Sequence, residues 1–90
     1  SERARFHWRL AQARLCVQAG KHELAKIQLD QLDLELQRTG LDRWEPELAL
    51  HVAQLLHRCC DLVPQSHAVR ERKEDTHRRL CLFDLEAVLE

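Results

Sequence analysis

Apolar residues recur at intervals of three and four along nearly the whole chain, which is the spacing of amphipathic helices and not of strands. Only two glycines and two prolines occur, so few positions are suited to the turns of a sheet protein. We predict helices at residues 2–19, 22–38, 46–63, 67–82 and 85–89. The predicted fold is a single all-α domain over residues 1–90, with two antiparallel helix hairpins, a short C-terminal helix and packing like that of tetratricopeptide repeats.

Glycine and proline set the predicted boundaries. Gly20 and Gly40 stand just beyond the first two helices, where a left-handed residue ends a helix. Residues 40–45 are predicted to form a loop. Pro46 then suits the first turn of the third helix, which we expect to stop before Pro64.

The third and fourth predicted helices differ in how much of their surface is apolar. The third has a wide apolar arc and is the candidate for the central, buried helix. The fourth, with Ser66 as its predicted N-cap, has one thin stripe formed by Val69, Thr76, Leu80 and Phe83. We therefore expect it to lie on the outside, followed by a last short helix capped by Asp84.

The first two helices each carry two apolar stripes. In the first helix, one stripe contains Phe6, Leu10, Ala13 and Val17, and the other Ala4, Trp8, Ala11, Leu15 and Ala19. In the second helix, the main stripe is Ala25, Leu29, Leu32 and Leu36, and a weaker one is Leu24, Ile27, Gln31 and Leu34. A helix with two apolar faces has to be covered on both. A 90-residue chain has few elements with which to do so, which favours oligomerisation.

The charge balance excludes some classes of partner. The formal net charge is -1, from 14 Lys and Arg against 15 Asp and Glu, which gives no electrostatic footprint for nucleic acid or anionic membrane. No apolar run approaches the roughly 20 residues that span a bilayer. We expect neither nucleic-acid binding nor membrane insertion. The absence of methionine predicts a domain cut from a longer protein.

Six histidines and four cysteines raise the question of a metal or a nucleophile. The best zinc set is His57 and Cys60 on one helix with His77 and Cys81 on another, although no CxxC motif accompanies it. Cys16 beside a histidine would be the candidate nucleophile, but no glycine-rich turn supplies an oxyanion hole. We predict no metal, no cofactor and no enzymatic activity, with free thiols in a reducing compartment.

Charged clusters on the second and fourth helices are interpreted as solvated faces. Asp30, Asp33 and Glu35 share their helix with Lys26, which can pair with Asp30 at i, i+4. The basic residues Arg70, Arg72, Lys73, Arg78 and Arg79 alternate with Glu71, Glu74 and Asp75, which is typical of an exposed helix with many ion pairs. Trp8 and Trp44 are predicted to be core anchors.

Four segments together resemble the C-terminal domain of TssA proteins, also called ImpA or VasJ. They are RFHWRLAQARL at residues 5–15, QAGKHELA at 18–25, GLDRWEPELA at 40–49 and LCLFDLEA at 80–87. The loop sequence at 40–49 is the most specific of them. The resemblance implies a cytoplasmic component of the bacterial type VI secretion machine. It also implies a large homo-oligomeric ring that organises the baseplate and the growth of the tail tube and sheath.

Two assignments follow from the pattern and not from the family. Either the stripe of Phe6, Leu10 and Val17 or that of Leu24, Ile27 and Leu34 is predicted to form a subunit contact. The segment Trp44, Glu45, Pro46 and Leu48 is predicted to fix the chain entering the third helix. The alternative function is a monomeric helical adaptor that binds a partner peptide or helix in a groove.

Overall fold

The computed structural model describes residues 1–89, and these form five α-helices and no strand. The helices are α1 Glu2–Gln18, α2 His22–Thr39, α3 Leu41–Trp44, α4 Pro46–Cys60 and α5 His67–Leu89. The all-α prediction is confirmed. α1 pairs with α2, α2 packs against α4, and α4 pairs with α5, so two hairpins lie side by side.

The turn between α1 and α2 is closed by Gly20. The Lys21 N–H donates to the Cys16 carbonyl at 2.8 Å and the Gly20 N–H to the Val17 carbonyl at 3.0 Å. This is the Schellman arrangement, which requires a left-handed residue, and Gly20 supplies it with φ of 78°. The predicted helix end is therefore confirmed, and the chain reverses into an antiparallel hairpin.

The segment predicted as a loop at 40–45 contains a single helical turn, α3. The Glu45 N–H donates to the Leu41 carbonyl at 2.8 Å, and Glu45 then adopts an extended conformation before Pro46. The ring of a proline disfavours helical geometry in the residue before it, so this turn cannot continue into α4. Four residues are too few to produce an apolar period, which is why the pattern did not reveal α3.

α4 is the central helix, as predicted, because it contacts all four of the others. Its inner residues Leu48, Val52 and Leu56 are fully buried. It ends at Cys60, three residues before the predicted end at Val63. The Gln65 side chain donates to the Cys60 carbonyl at 2.8 Å and to the Val63 carbonyl at 2.9 Å, so it satisfies acceptors that the missing turn leaves open.

α5 is one continuous helix, so the predicted short helix at 85–89 is wrong as a separate element. The Val69 N–H donates to Ser66 Oγ at 3.2 Å, as expected for an N-cap. Asp84, however, lies inside the helix. Its intrinsic cost in a helix interior is less than about 1 kcal/mol, and no glycine or proline forces a break there. Val69 and Thr76 are the only buried residues among those described in α5, which agrees with the predicted outer position of this helix.

Candidate functional site

The structure decides which of the two stripes on α1 faces inward. Phe6 is 3% exposed and lies in the main core with Leu10, Ala13 and Val17. The second stripe, which we name the α1 outer face, consists of Ala4, Trp8, Ala11, Leu15 and Ala19 and is exposed throughout. Trp8 is 63% exposed, so the prediction that it anchors the core is wrong.

One of the two predicted subunit contacts is thereby corrected. Phe6, Leu10 and Val17 fill the core of their own chain, and no second copy can reach them without unfolding α1. The other stripe, which we name the α2 outer face, consists of Leu24, Ile27 and Leu34, all exposed. Its role as a contact between subunits stays a prediction.

A third apolar surface lies at the end of α5. Leu82, Leu85, Val88 and Leu89 are all exposed, and we name this set the α5 end face. The predicted break at Asp84 divided these residues between two helices. The spacing of Leu82, Leu85 and Leu89 at i, i+3 and i+7 was nevertheless visible in the sequence. Recognising it required knowing that the helix does not stop at Asp84.

A groove of about 710 Å³ continues from the α5 end face. It runs between α5 and the segment from α2 to α4. Its apolar lining is formed by Leu36, Pro46, Ala49, Leu82 and Phe83, and its charged lining by Asp33, Asp42, Arg43, Asp75, Arg79 and Glu86. Four acidic and two basic side chains give this groove a formal charge of -2.

The lining of the groove contains an ion pair between α2 and α5, in which Asp33 is buried and Arg79 is partly buried. Arg79 donates from Nη1 to Asp33 Oδ1 at 2.6 Å and from Nη2 to Asp33 Oδ2 at 3.0 Å. A second ion pair joins Arg79 Nη2 to Asp75 Oδ2 at 3.1 Å. Burial alone would lower the pKa of Arg79, but hydrogen bonding and attraction to Asp33 and Asp75 hold that pKa above its ordinary value.

These contacts correct the prediction of two solvated charged faces. The expected pair of Lys26 and Asp30 is present at 2.9 Å. Asp33, however, is buried, and Arg72 Nε reaches Asp30 Oδ1 at 3.1 Å. Asp30 and Asp33 of α2 therefore face basic residues of α5, whereas Glu35 pairs with Arg9 of α1. The i, i+4 rule predicts ion pairs within one helix only. Ion pairs between helices depend on how the two hairpins pack.

Three of the four residues predicted to fix the segment entering α4 make contacts consistent with that role, which stays a prediction. Leu48 is fully buried, Pro46 begins α4, and Glu45 forms an ion pair with Arg3 at the start of α1. Trp44 is 84% exposed and anchors nothing in its own chain, so its predicted core role is wrong. The single turn of α3 directs its side chain outward.

The proposed zinc ligands do not converge. Cys60 is fully buried in a small cluster with Val63 and Val69, away from the exposed Cys81. The rings of His57 and His77 lie 6.1 Å apart, and Cys81 Sγ is 3.6 Å from His77 Nε2. Across residues 1–89, no group of three metal-ligating side chains comes together.

The two adjacent cysteines are held in their protonated form. Burial raises the pKa of Cys59, and the neighbouring Cys60 raises it further. Burial likewise raises the pKa of Cys60. A nucleophilic cysteine requires a thiolate in an accessible, electropositive setting. Cys59 and Cys60 provide neither property and act as small apolar side chains of the interior.

No helix within the described part of the chain is long and apolar enough to cross a membrane. The candidate functional features are therefore surfaces: the three apolar faces on α1, α2 and α5, and the acidic groove.

Comparison with known proteins gives one finding that bears on these surfaces. The protein-family model described as "Type VI secretion, EvfE, EvfF, ImpA, BimE, VC_A0119, VasJ" matches residues 1–56. This range holds α1, α2, α3 and most of α4, but not residues 80–87, whose resemblance to the family stays an expectation. No curated protein and no solved structure gave a significant match. Because the family model covers more than half of the chain, the chain belongs to the ImpA/VasJ family of type VI secretion proteins, the TssA proteins.

Proposed function

We propose that this chain is the self-assembly domain of a type VI secretion TssA protein. Copies of it form a ring that organises the baseplate and the assembly of the tail tube and sheath. The observation that carries the proposal is the amount of apolar surface left outside a folded core. The helices α1, α2 and α5 each bury part of their surface within the chain. Each of them also exposes a further apolar face.

Monomeric proteins in water seldom expose contiguous apolar surface without a partner to cover it. Each of the three faces combines large side chains at helical spacing, as Trp8 with Leu15 and Ile27 with Leu34 do. Their exposure is substantial, since Ile27 is 57% exposed and Leu82 is 55% exposed. Faces on several helices would be covered by more than one neighbour, as in a closed ring.

Family membership supports the biological setting. The domain would act in the bacterial cytoplasm as a structural part and not as an enzyme. Contacts with baseplate and tail components would be made by the full-length protein, with this domain holding the copies together. No nucleic acid and no cofactor enter the proposal.

The test is the solution mass of the 90-residue chain, measured by light scattering after size exclusion, with and without a chelator. The expected result is a discrete assembly many times the 10.6 kDa of one chain, unchanged by the chelator. A monomer would overturn self-assembly by this domain. In that case the 710 Å³ groove would favour the alternative of an adaptor for a partner helix or peptide.

A further inference from the structure

We propose that the α1 outer face of one copy docks on the α5 end face and the adjoining acidic groove of the next copy. This inference rests on the proposed function and names the two surfaces that meet. It makes the contact heterologous, because two different patches join. Repetition of such a contact leads to a ring if the rotation closes.

α1 carries an excess of positive charge. α1 contains four arginines and one glutamate. Arg3 and Arg9 are paired with Glu45 and Glu35 of the same chain. Arg5 and Arg14 form no ion pair with any residue in the range 1–89, and they lie on opposite margins of the α1 outer face. The apolar stripe around Trp8 is thus bordered on both sides by positive charge.

The surface at the other end of the molecule has the opposite charge. From Leu80 to Leu89, α5 contains Asp84 and Glu86 and neither lysine nor arginine. Helical geometry places these two carboxylates on opposite margins of the α5 end face, Glu86 next to Leu82 and Asp84 next to Val88. Neither forms an ion pair within the described chain. The groove beside it adds Asp42 and has a formal charge of -2.

The two stripes also match in length. Trp8, Ala11 and Leu15 are spaced i, i+3 and i+7, as are Leu82, Leu85 and Leu89. Seven residues of helix extend about 10 Å, so both stripes cover the same distance. The groove at Leu82 and Phe83 offers a concave site next to the α5 stripe, and tryptophan is the side chain that most often anchors such contacts.

Like-with-like contacts are disfavoured by the same charges. If two α1 outer faces met, the arginines Arg5 and Arg14 of one copy would lie near those of the other. If two α5 end faces met, the carboxylates Asp84 and Glu86 would lie near each other in the same way. Repulsion of this type selects the mixed pairing. In a closed ring every copy makes two such contacts, so closure adds to the stability that a single contact provides.

The test uses two half-blocked variants of this chain. The first carries Trp8→Glu and Leu15→Glu, and the second carries Leu82→Lys and Leu85→Lys. Both also carry Ile27→Glu and Leu34→Glu, which remove any contribution of the α2 outer face. All the replaced side chains are exposed, and circular dichroism verifies that the helices are retained. The matched control has only Ile27→Glu and Leu34→Glu, together with Arg70→Glu on the polar surface of α5.

The expected result is that each half-blocked variant alone is a monomer of about 10.6 kDa, whereas an equimolar mixture forms a 1:1 dimer of twice that mass. Only one intact α1 face and one intact α5 face are then present, so growth stops at two. The control, with both faces intact, continues to larger species. A mixture that stays monomeric, or a half-blocked variant that assembles alone, overturns the heterologous pairing.

If the unmodified chain assembles while the mixture does not, the proposed function stands and this pairing falls. If the unmodified chain is itself a monomer, both fall.

Discussion

At the scale of single residues, the pair formed by Asp33 and Arg79 is the contact with the largest expected effect on stability. Its two hydrogen bonds join α2 to α5 with both groups largely removed from water. Arg79→Ala would leave the Asp33 carboxylate buried without its cationic partner, and it is expected to lower the free energy of unfolding by about 3 kcal/mol. Asp33→Ala is expected to cost less, because Arg79 is partly exposed and keeps its ion pair with Asp75.

Urea denaturation of the two single variants and of the double variant Asp33→Leu with Arg79→Leu measures this. The double variant is expected to lose less than Arg79→Ala, because no uncompensated buried carboxylate remains. Equal losses in all three would show that the pair acts only through packing.

Cys59 and Cys60 lead to a prediction about pH. Burial raises the pKa of both thiols in the folded state above their ordinary value of 9.0. Above that value the unfolded chain releases these protons while the folded chain keeps them. Their contribution to stability is therefore complete below pH 9.0 and is lost as the pH rises through the folded-state pKa. The variant Cys59→Ala with Cys60→Ala should show a shallower alkaline decline in the free energy of unfolding, and an identical decline would contradict the assignment.

Residue patterns alone could not identify the inner stripe of α1. Phe6 and Trp8 are both aromatic, and each belongs to a stripe with helical spacing. The choice between them depends on which face meets α2 and α4, which is a property of tertiary packing. The same reason explains Asp33, whose buried state depends on Arg79, a residue 46 positions away in the chain.

At the scale of elements, Gly20 and Gly40 determine where α1 and α2 end. Both have positive φ, 78° and 74°, and a Cβ at either position would meet no atom within 4 Å. The cost of Gly20→Ala or Gly40→Ala is therefore conformational and not steric, and we expect each to lower the free energy of unfolding by about 1 kcal/mol. Asparagine tolerates the left-handed region better, so Gly20→Asn and Gly40→Asn should lose less in the same urea titration. A neutral effect of alanine would mean that the turn can relax.

The helix boundaries predicted from sequence were accurate where a helix-ending glycine coincided with the end of the apolar periodicity. α1 and α2 end within one residue of their predicted ends, because Gly20 and Gly40 stop them. The predictions failed where a single side chain decides the boundary. The Gln65 side chain caps the Cys60 carbonyl, so α4 ends earlier than predicted. Asp84 is of a residue type common at helix starts, but it lies in the interior of α5.

At the scale of the whole molecule, the α2 outer face gives a separate test of assembly. Ile27→Glu with Leu34→Glu places two charges on an exposed apolar surface without touching the core. The mass measured by light scattering is expected to fall while the far-ultraviolet circular dichroism is unchanged. Gln31→Glu, on the same face, serves as a control for added charge alone. An unchanged mass would remove the α2 outer face from the proposed ring.

The family and the fold class could both be inferred from sequence, whereas the surfaces available for assembly could not. Apolar faces were expected, but deciding which of them remain outside required α4 to be placed between the two hairpins. The α5 end face became a single surface only once α5 was known to be continuous through Asp84.

The way α5 is attached has a consequence for motion. Its fully buried side chains are Val69 and Thr76, and Val69 belongs to a small cluster separate from the main core of α1, α2 and α4. Much of the remaining attachment consists of ion pairs with Asp30, Asp33 and Asp61. Such an element opens at lower free energy than the core it rests on.

Amide hydrogens of α5 should thus exchange with deuterium before those of α4, and added salt should accelerate exchange in α5 more than in α4. The helix carrying one of the proposed docking surfaces would then be the first to detach from its own chain.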